Sequence, residues 1–146
     1  GRGLLLIGAA QRLPRGRAVG IDLWQTVDQS GNSPEATRKN AELAGVLDRI
    51  ELHTGDARSL PFDEGQFDVI VSSWALHNIP TVAGRAKAVA EIARVLKPGG
   101  RVLLVDISHS RDYARELFQR GLTDVRHRLL SFLFAIPTYR VDAKKP

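Results

Sequence analysis

Short apolar runs alternate along this chain with segments of helical periodicity, and each run ends in small or polar residues. Because a strand covered on both faces reads as a continuous apolar run, this alternation favours a parallel sheet with helices packed on it. Right-handed crossovers are then expected between successive strands. The four apolar runs are Ala18–Ile21, Ile50–His53, Phe67–Val71 and Arg101–Ile107.

Four helices are predicted from apolar residues at helical spacing and from their end signals. Ser33 is a good N-cap before Pro34, and Ser110 is expected to cap the last helix. Pro98-Gly99-Gly100 ends the third helix sharply. The predicted helices are Leu4–Leu13, stopped by Pro14, then Pro34–Gly45, Val82–Leu96, and a helix carrying Tyr113–Phe118 that Gly121 closes.

Two extended segments follow the last helix, Val125–Phe134 and Tyr139–Ala143, and a turn around Pro137 is expected to join them. Two consecutive strands form a hairpin, so one of them must run against the parallel strands. The sequence therefore predicts a doubly wound, three-layer, Rossmann-like α/β fold. Its mixed sheet has a reversed strand near the C-terminal edge. Residues 1–146 are expected to form a single domain.

Composition excludes several kinds of site. The chain has no cysteine, which rules out disulfides, thiolate metal sites and cysteine nucleophiles, and its four histidines are too scattered to predict a metal site. The apolar stretch Leu129–Ile136 is far shorter than the roughly 20 residues that cross a bilayer. No export signal is evident, so we predict a cytoplasmic protein. The formal net charge is +5, but the basic residues are dispersed, which favours a solvated surface over a nucleic-acid groove.

The residues just after each strand are the first candidates for a ligand site, because open α/β sheets bind ligands there. Asp22 ends the first apolar run, and a carboxylate at this place can accept both hydroxyls of a ribose. The alternative is a solvated cap or turn aspartate. Leu23 and Trp24 could give an adenine ring an apolar face, although core packing explains them nearly as well.

Two further places fit an adenosine-containing ligand. Gly1 and Gly3 precede the first helix, where the absence of side chains lets a ligand approach backbone N–H groups at the positive end of the helix dipole. A plain tight turn is the alternative. Asp56 could accept from an exocyclic adenine amine while the next backbone N–H, that of Ala57, donates to a ring nitrogen. An Asx-turn is equally common for Gly-Asp.

Five segments in series resemble the successive motifs of class I S-adenosylmethionine-dependent methyltransferases. The closest resemblance is to the small-molecule branch that includes ubiquinone and menaquinone biosynthesis enzymes. The likeness covers essentially the whole chain, in order and with fitting spacing. The segments are Gly1–Gly3, Val19–Asp22, Gly55–Phe62, Phe67–Ser72 and Leu96–Leu103.

This resemblance implies a fold and a set of site residues. The fold would be a seven-stranded sheet with a reversed last strand. The cofactor would be S-adenosylmethionine, and its product would be S-adenosylhomocysteine. Lys97–Gly100 would be a structural turn rather than a ligand. The cofactor-binding residues would be Gly1 and Gly3 beside the methionine portion, Asp22 at the ribose, Asp56 and Ala57 at the adenine, and Ser72 near the amino-acid end.

The sequence departs from the family at its start. In the family, the first strand comes directly before the position that Gly1 occupies here. That strand, its acidic residue and an upstream helical segment are expected in the family but are not among these residues. The chain also has no methionine. We therefore expect it to be part of a longer chain.

Methyl transfer from a sulfonium mainly requires alignment of the reacting atoms and exclusion of water. If the acceptor is a hydroxyl or an acidic carbon, a base must remove its proton, and His77 is the best-placed candidate. Packing at the end of a short helix is the competing interpretation of His77. Trp74 is a candidate wall of the substrate site, with a core role close behind.

Three other functions remain open at this point. A nicotinamide-dependent oxidoreductase shares the glycine turn and the acid Asp22, but it leaves the Gly55–Ala57 and Lys97–Gly100 motifs unexplained. A nucleic-acid methyltransferase would carry an Asn/Asp-Pro-Pro-aromatic run in place of Ser72–Trp74. A non-catalytic binding module with this fold is the third. The sequence does not identify the methyl acceptor or the oligomeric state.

Overall fold

The computed structural model of the chain describes residues 1–13, 15–25, 30–133 and 136–146. The chain divides into two compact units, Gly1–Asp56 and Ala57–Pro146, which are described separately below. In chain order the elements are α1 (Leu4–Arg12), β1 (Ala18–Asp22), α2 (Pro34–Leu43), a 3-10 turn (Leu47–Arg49), β2 (Ile50–Thr54), β3 (Phe67–Ser73), a second 3-10 turn (Leu76–Asn78), α3 (Val82–Val95), β4 (Leu96–Asp106), α4 (Ser110–Gln119), β5 (Thr123–Leu133) and β6 (Ile136–Lys144).

The first unit contains a two-stranded parallel sheet. Strand β1 pairs with β2 without a shift in register, from Ala18 opposite Ile50 to Asp22 opposite Thr54. Its small core consists of residues from α1, β1, α2 and the segment after α2: Ala10, Ala18, Ala41 and Val46. The predicted cap of α2 is confirmed, since the Ser33 hydroxyl accepts from the Ala36 backbone N–H at 3.1 Å. Parallel pairing of β1 and β2 brings their carboxyl ends to the same edge.

The second unit contains a four-stranded mixed sheet in the order β3-β4-β6-β5. Strands β3 and β4 are parallel, whereas β6 runs antiparallel to both β4 and β5. Helices α3 and α4 supply much of its core, including Val89, Ile92, Tyr113 and Leu117. The predicted α/β architecture and its reversed strand are confirmed, and β6 lies inside the sheet with the hairpin partner β5 at the edge.

Three sequence predictions about local structure were wrong. Ser110 does not cap α4: His109 occupies the N-cap position, and the Ser110 hydroxyl instead bonds to His127 Nε2 at 2.9 Å. Residues 97–100 belong to β4, which begins at Leu96, and they form an irregularity where the ladder with β3 shifts register. Pro137 lies within β6 opposite Phe132 rather than at a turn.

The position of Pro137 has a simple physical reason. Pairing between β4 and β6 ends at Asp106 opposite Tyr139, so Pro137 has a neighbouring strand only on the β5 side. A proline, which lacks the N–H, is tolerated where one side of the strand is unpaired. The predicted helix stop at Pro14 and the predicted strand end at Phe134 lie outside the described residues.

Within the described part of the chain, no helix is both long enough and apolar enough to cross a bilayer.

Candidate functional site

The first unit brings Asp22 and Asp56 to one edge of its sheet. Asp22 is the last residue of β1 and lies opposite Thr54, the last residue of β2. Directly beyond the ladder, the Gly55 backbone N–H donates to the Asp22 carbonyl at 3.1 Å, and Asp56 follows. The two aspartates singled out from the sequence therefore leave neighbouring strands at the same end, as binding to one nucleoside requires. Their role in binding stays a prediction.

The Asp22 carboxyl group is held by three donors. Its Oδ1 accepts from the Trp24 backbone N–H at 2.8 Å and from Asn32 Nδ2 at 3.3 Å, and its Oδ2 accepts from the Gly1 amino group. Burial on its own raises the pKa of Asp22. The hydrogen bonds and charge of the Gly1 amino group, the Trp24 N–H and Asn32 outweigh it and lower the pKa. Asp22 is therefore ionised at neutral pH, and 30% of its side chain remains exposed.

Trp24 is fixed beside this carboxylate. Its backbone is in the left-handed region, with φ of 57°, and its indole Nε1 donates to Thr54 Oγ1 at 2.9 Å. The ring is thus tied across the ends of β1 and β2, while the neighbouring Leu23 side chain is exposed. These two residues give the strand edge an apolar portion next to an ionised acid.

The segment Gly1–Gly3, which we call the glycine loop, is anchored to α2. Thr37 Oγ1 donates to the Gly1 carbonyl at 3.1 Å, and Asn40 Nδ2 donates to the Arg2 carbonyl at 3.0 Å. Gly3 is the N-cap of α1 in a left-handed conformation, so no side chain caps the helix, and its first turn has no acidic residue. The positive end of the α1 dipole therefore has no local counter-charge in this loop.

Gly3→Ala should destabilise the first unit. A Cβ on Gly3 would lie 2.6 Å from Thr37 Cγ2, and the backbone φ of +86° is strained for alanine. We expect a loss of about 3 kcal/mol in the free energy of unfolding in urea, from the two effects combined. Gly45→Ala is the control, because Gly45 also has a positive φ but nothing within 4 Å of its Cβ, and it should cost about 1 kcal/mol. Equal losses in the two variants would contradict the steric part of the argument.

The second unit holds the other residues predicted from the sequence. Ser72 is half-buried near the carboxyl end of β3, opposite Leu104 of β4. Trp74 follows β3 with φ of 50°, its backbone N–H donates to the Val105 carbonyl at 2.9 Å, and its side chain is partly exposed. Ala57 packs against the hydrophobic core of this unit. Trp74 is therefore at the surface, which suits a wall of a substrate site better than a core role.

His77 is paired with a buried acid that the sequence analysis missed. Its Nδ1 lies 2.6 Å from Asp106 Oδ1, and its backbone N–H donates to Asp106 Oδ2 at 3.1 Å. Asp106 is 2% exposed, whereas the His77 side chain is 20% exposed. His77 lies in the 3-10 turn after β3, and Asp106 is the last residue of β4, so the parallel pairing of these strands brings the two together. The signal was present, since Asp106 breaks an apolar run as Asp22 does.

The contacts of Asp106 determine which imidazole nitrogen is protonated. Oδ1 also accepts from the Ile107 backbone N–H at 2.9 Å, and the Tyr113 hydroxyl donates to Oδ2 at 3.4 Å. Burial, and then the charge of Asp106, raise the pKa of Tyr113, so its phenol stays protonated and acts as a donor. A carboxylate surrounded by donors requires a proton on His77 Nδ1. The lone pair of neutral His77 is then on Nε2, where it can accept a proton.

Arg85 supports the segment that carries His77. It is buried on α3, and its guanidinium NH1 donates to the carbonyls of Ile79 and Pro80 at 2.7 and 3.2 Å. These bonds fix the chain directly after the 3-10 turn. The histidine is thus held from both sides, by Asp106 at its ring and by Arg85 through the following backbone.

Comparison with known proteins gives a consistent result. Residues 1–104 match the protein family described as "Methyltransferase domain". The chain is 34% identical over 105 residues to a demethylmenaquinone methyltransferase of Symbiobacterium thermophilum, an alignment that covers 72% of this chain and 38% of that protein. The chain thus spans well under half the length of this curated relative.

Solved structures share the fold at low sequence identity. The [4+2]-cyclase SpnF aligns with a TM-score of 0.79 at 16% identity, over 100% of this chain and 72% of that one. Geranyl diphosphate C-methyltransferase from Streptomyces coelicolor A3(2), in complex with Mg2+, geranyl diphosphate and S-adenosyl-L-homocysteine, aligns with a TM-score of 0.76 at 15% identity, over 100% of this chain and 68% of that one. At these identities the likeness concerns the fold alone.

Proposed function

Because the chain belongs to the methyltransferase domain family, we propose that it transfers a methyl group from S-adenosylmethionine to a small-molecule acceptor. The observation that carries the proposal is the edge of the first unit, where Asp22 and Asp56 follow neighbouring parallel strands. The family match also favours methyl transfer over nicotinamide-dependent oxidoreduction. The similarity to a demethylmenaquinone methyltransferase leads us to favour a quinone-derived ring as the acceptor.

The cofactor's nucleoside is proposed to bind at this edge. Asp22 Oδ2 would accept from the ribose hydroxyls in place of the Gly1 amino group, while Oδ1 keeps its bond to the Trp24 N–H. Leu23 and Trp24 would flank the adenine, and Asp56 with the Ala57 backbone would bind the base edge. An ionised carboxylate that is still partly exposed, beside an apolar surface, suits a ribose and its base.

The glycine loop of the first unit is proposed to contact the methionine portion of the cofactor. Backbone N–H groups at the start of α1, next to Gly1 and Gly3, suit a carboxylate, because no side chain caps them. Ser72 is proposed to bind near the amino-acid end. We propose that all of these residues belong to one S-adenosylmethionine-binding domain formed by residues 1–146.

His77 is proposed to act as the general base. When bound, S-adenosylmethionine supplies a methyl group on a positively charged sulfur, and S-adenosylhomocysteine is the product. His77 Nε2 would take the proton that the acceptor loses when it is methylated. Asp106 holds the ring in the required tautomer and stabilises the imidazolium. Trp74 would exclude water from one side of the acceptor.

Transfer of label tests the proposal directly. The protein is incubated with S-adenosylmethionine tritiated in its methyl group and with a short-chain demethylated naphthoquinol. We expect tritium in the organic extract only when the naphthoquinol is included in the reaction. Reduced nicotinamide cofactor should not inhibit this transfer. Tight binding of reduced nicotinamide cofactor without binding of S-adenosylmethionine would overturn the proposal. Binding of S-adenosylmethionine without transfer to quinol or other acceptors would indicate a non-catalytic binding module.

A further inference from the structure

The β5–β6 hairpin ends in an exposed apolar group of side chains, which we call the hairpin tip. Phe132 is 67% exposed, and the other members are between 40% and 50% exposed. Exposed apolar side chains that occur singly are ordinary on a protein surface, whereas several at one projecting end of a hairpin indicate an interaction. Phe132 lies opposite Pro137 and Leu133 lies opposite Ile136, so Phe132 and Ile136 are on opposite faces and the end of the hairpin is apolar on both. The members of the hairpin tip are Leu129, Leu130, Phe132 and Ile136.

The hairpin tip extends beyond the rest of its sheet. The last residue of β4, Asp106, lies opposite Tyr139 of β6, which in turn lies opposite Leu129 of β5. Residues 131–133 and 136–138 therefore pair only with each other, past the carboxyl end of β4. The hairpin tip is thus at the same end of the sheet as His77 and Asp106, free of a neighbouring strand on the β4 side.

Arginines lie directly behind the hairpin tip. Arg128 and Arg140 occupy opposite positions in the ladder, where two like charges on one sheet face are unfavourable without a counter-ion. Arg140 Nε bonds to Asp142 Oδ1 at 2.6 Å, and Arg126 lies opposite that same aspartate. Among these three arginines, Asp142 is therefore shown to pair with Arg140. For Arg128, the structure gives no acidic partner among the described residues. Arg128 and Arg140 thus place two positive side chains on one face of the hairpin.

We propose that the hairpin tip docks onto the surface of an anionic lipid bilayer. The apolar side chains would enter the boundary between headgroups and acyl chains, and Arg128 and Arg140 would bind lipid phosphates. Their long stems can run along the apolar layer while the guanidinium groups stay at the phosphates. The apolar side chains complement the acyl chains of a bilayer, and the adjacent positive charge complements its anionic headgroups. The proposal does not depend on the proposed function.

Vesicle flotation tests this docking. The purified protein is mixed with vesicles of equal parts phosphatidylcholine and phosphatidylglycerol, or with vesicles of phosphatidylcholine alone. We expect flotation with the anionic vesicles, weaker flotation with the neutral ones, and a loss of binding in high salt. Phe132→Ser should reduce the bound-to-free ratio about tenfold. Arg128→Gln should remove most of the preference for anionic vesicles.

A matched control separates docking from general stickiness. Phe118 is 71% exposed near the C-terminal end of α4, which leads into the start of β5 and not into the hairpin tip, so Phe118→Ser removes a similarly exposed aromatic ring outside the tip. It should bind vesicles like the unmodified protein. Because both phenylalanines are exposed, both variants should keep the thermal stability of the unmodified protein. A further variant, Ile136→Ser, provides a second test of the hairpin tip.

The opposite results would overturn the proposal. These are equal flotation of Phe132→Ser and the unmodified protein, equal losses in the Phe132 and Phe118 variants, or no flotation with either vesicle. A dimer by analytical ultracentrifugation that dissociates in Phe132→Ser, without vesicle binding, would assign the hairpin tip to a second copy of the chain instead.

Discussion

The variant His77→Ala is expected to lower kcat at least about 100-fold, the usual contribution of a positioned general base. The Kd for S-adenosylmethionine should change little, because we place the nucleoside at Asp22 and Asp56 rather than at His77. The reason for the large effect is the bond between His77 Nδ1 and Asp106, which leaves Nε2 as the proton acceptor. Steady-state kinetics with the quinol acceptor, together with calorimetric titration of the cofactor, separate the two effects.

A second substitution guards against damage to the fold. Removing the His77 ring takes one donor from the buried Asp106, which costs about 1 to 3 kcal/mol of stability. The amide of His77→Asn can still donate to Asp106 from the place of Nδ1 but has no basic nitrogen. It should keep the stability and lose the activity.

Two further results bear on the role of His77. His53→Ala replaces a histidine of the first unit that bonds to Glu51, and it should leave kcat unchanged. Nearly normal kcat in His77→Asn would remove His77 from the catalytic residues and leave it a structural role. Nitrogen NMR of the imidazole should find the proton of neutral His77 on Nδ1, and Asp106→Asn should disturb that tautomer.

Asp22→Ala is expected to weaken binding of S-adenosylmethionine by roughly 10- to 100-fold, as for the loss of a hydrogen bond to a charged group. The low pKa of Asp22 keeps it ionised, so both ribose hydroxyls can donate to it at neutral pH. Asp22→Asn keeps the shape and one acceptor oxygen but loses the charge. Its affinity for S-adenosylmethionine should lie between those of Asp22→Ala and the unmodified protein. Isothermal titration calorimetry measures all three affinities.

The control for this prediction is Asp48→Ala. Asp48 is an exposed aspartate of the same unit, in the 3-10 turn before β2, away from the carboxyl ends of the strands. Its loss should leave cofactor affinity unchanged. Unchanged affinity in Asp22→Ala, in a protein that remains folded, would show that the nucleoside binds elsewhere and would remove the main support for the proposed site.

The sequence predicted those features that depend on local pattern. Apolar runs ending in an acid identified β1 and β2, and the rule that parallel strands end at one edge was sufficient to place Asp22 near Asp56. The reversed terminal hairpin followed from a different pattern, two consecutive extended segments with no helix between them. These predictions succeed because a short apolar run that ends in small or polar residues is a local pattern, read without any contact distant in sequence.

Features that depend on contacts distant in sequence were missed. Asp106 is 29 residues from His77, and only the pairing of β3 with β4 brings them together. The Ser110 hydroxyl is bonded to His127, which lies on the strand that follows the helix. The local rule for N-caps therefore predicted the wrong role for Ser110. Pro137 is accommodated because β4 has already ended, which depends on the register of three strands.

The interior position of β6 bears on how the second unit forms during synthesis. Strand β4 and helix α3 leave the ribosome well before β6, the strand that fills the space between β4 and β5. Until residue 144 has emerged, one side of β4 offers unpaired backbone groups that can bind other chains. Lys145 then fastens the C-terminal end of the unit to the junction of α3 and β4, since its Nζ donates to the carbonyls of Ala93 and Leu96 at 2.9 and 2.8 Å. Nascent chains stalled before β6 should therefore depend on chaperones, and that dependence should end once the segment through Lys145 is exposed.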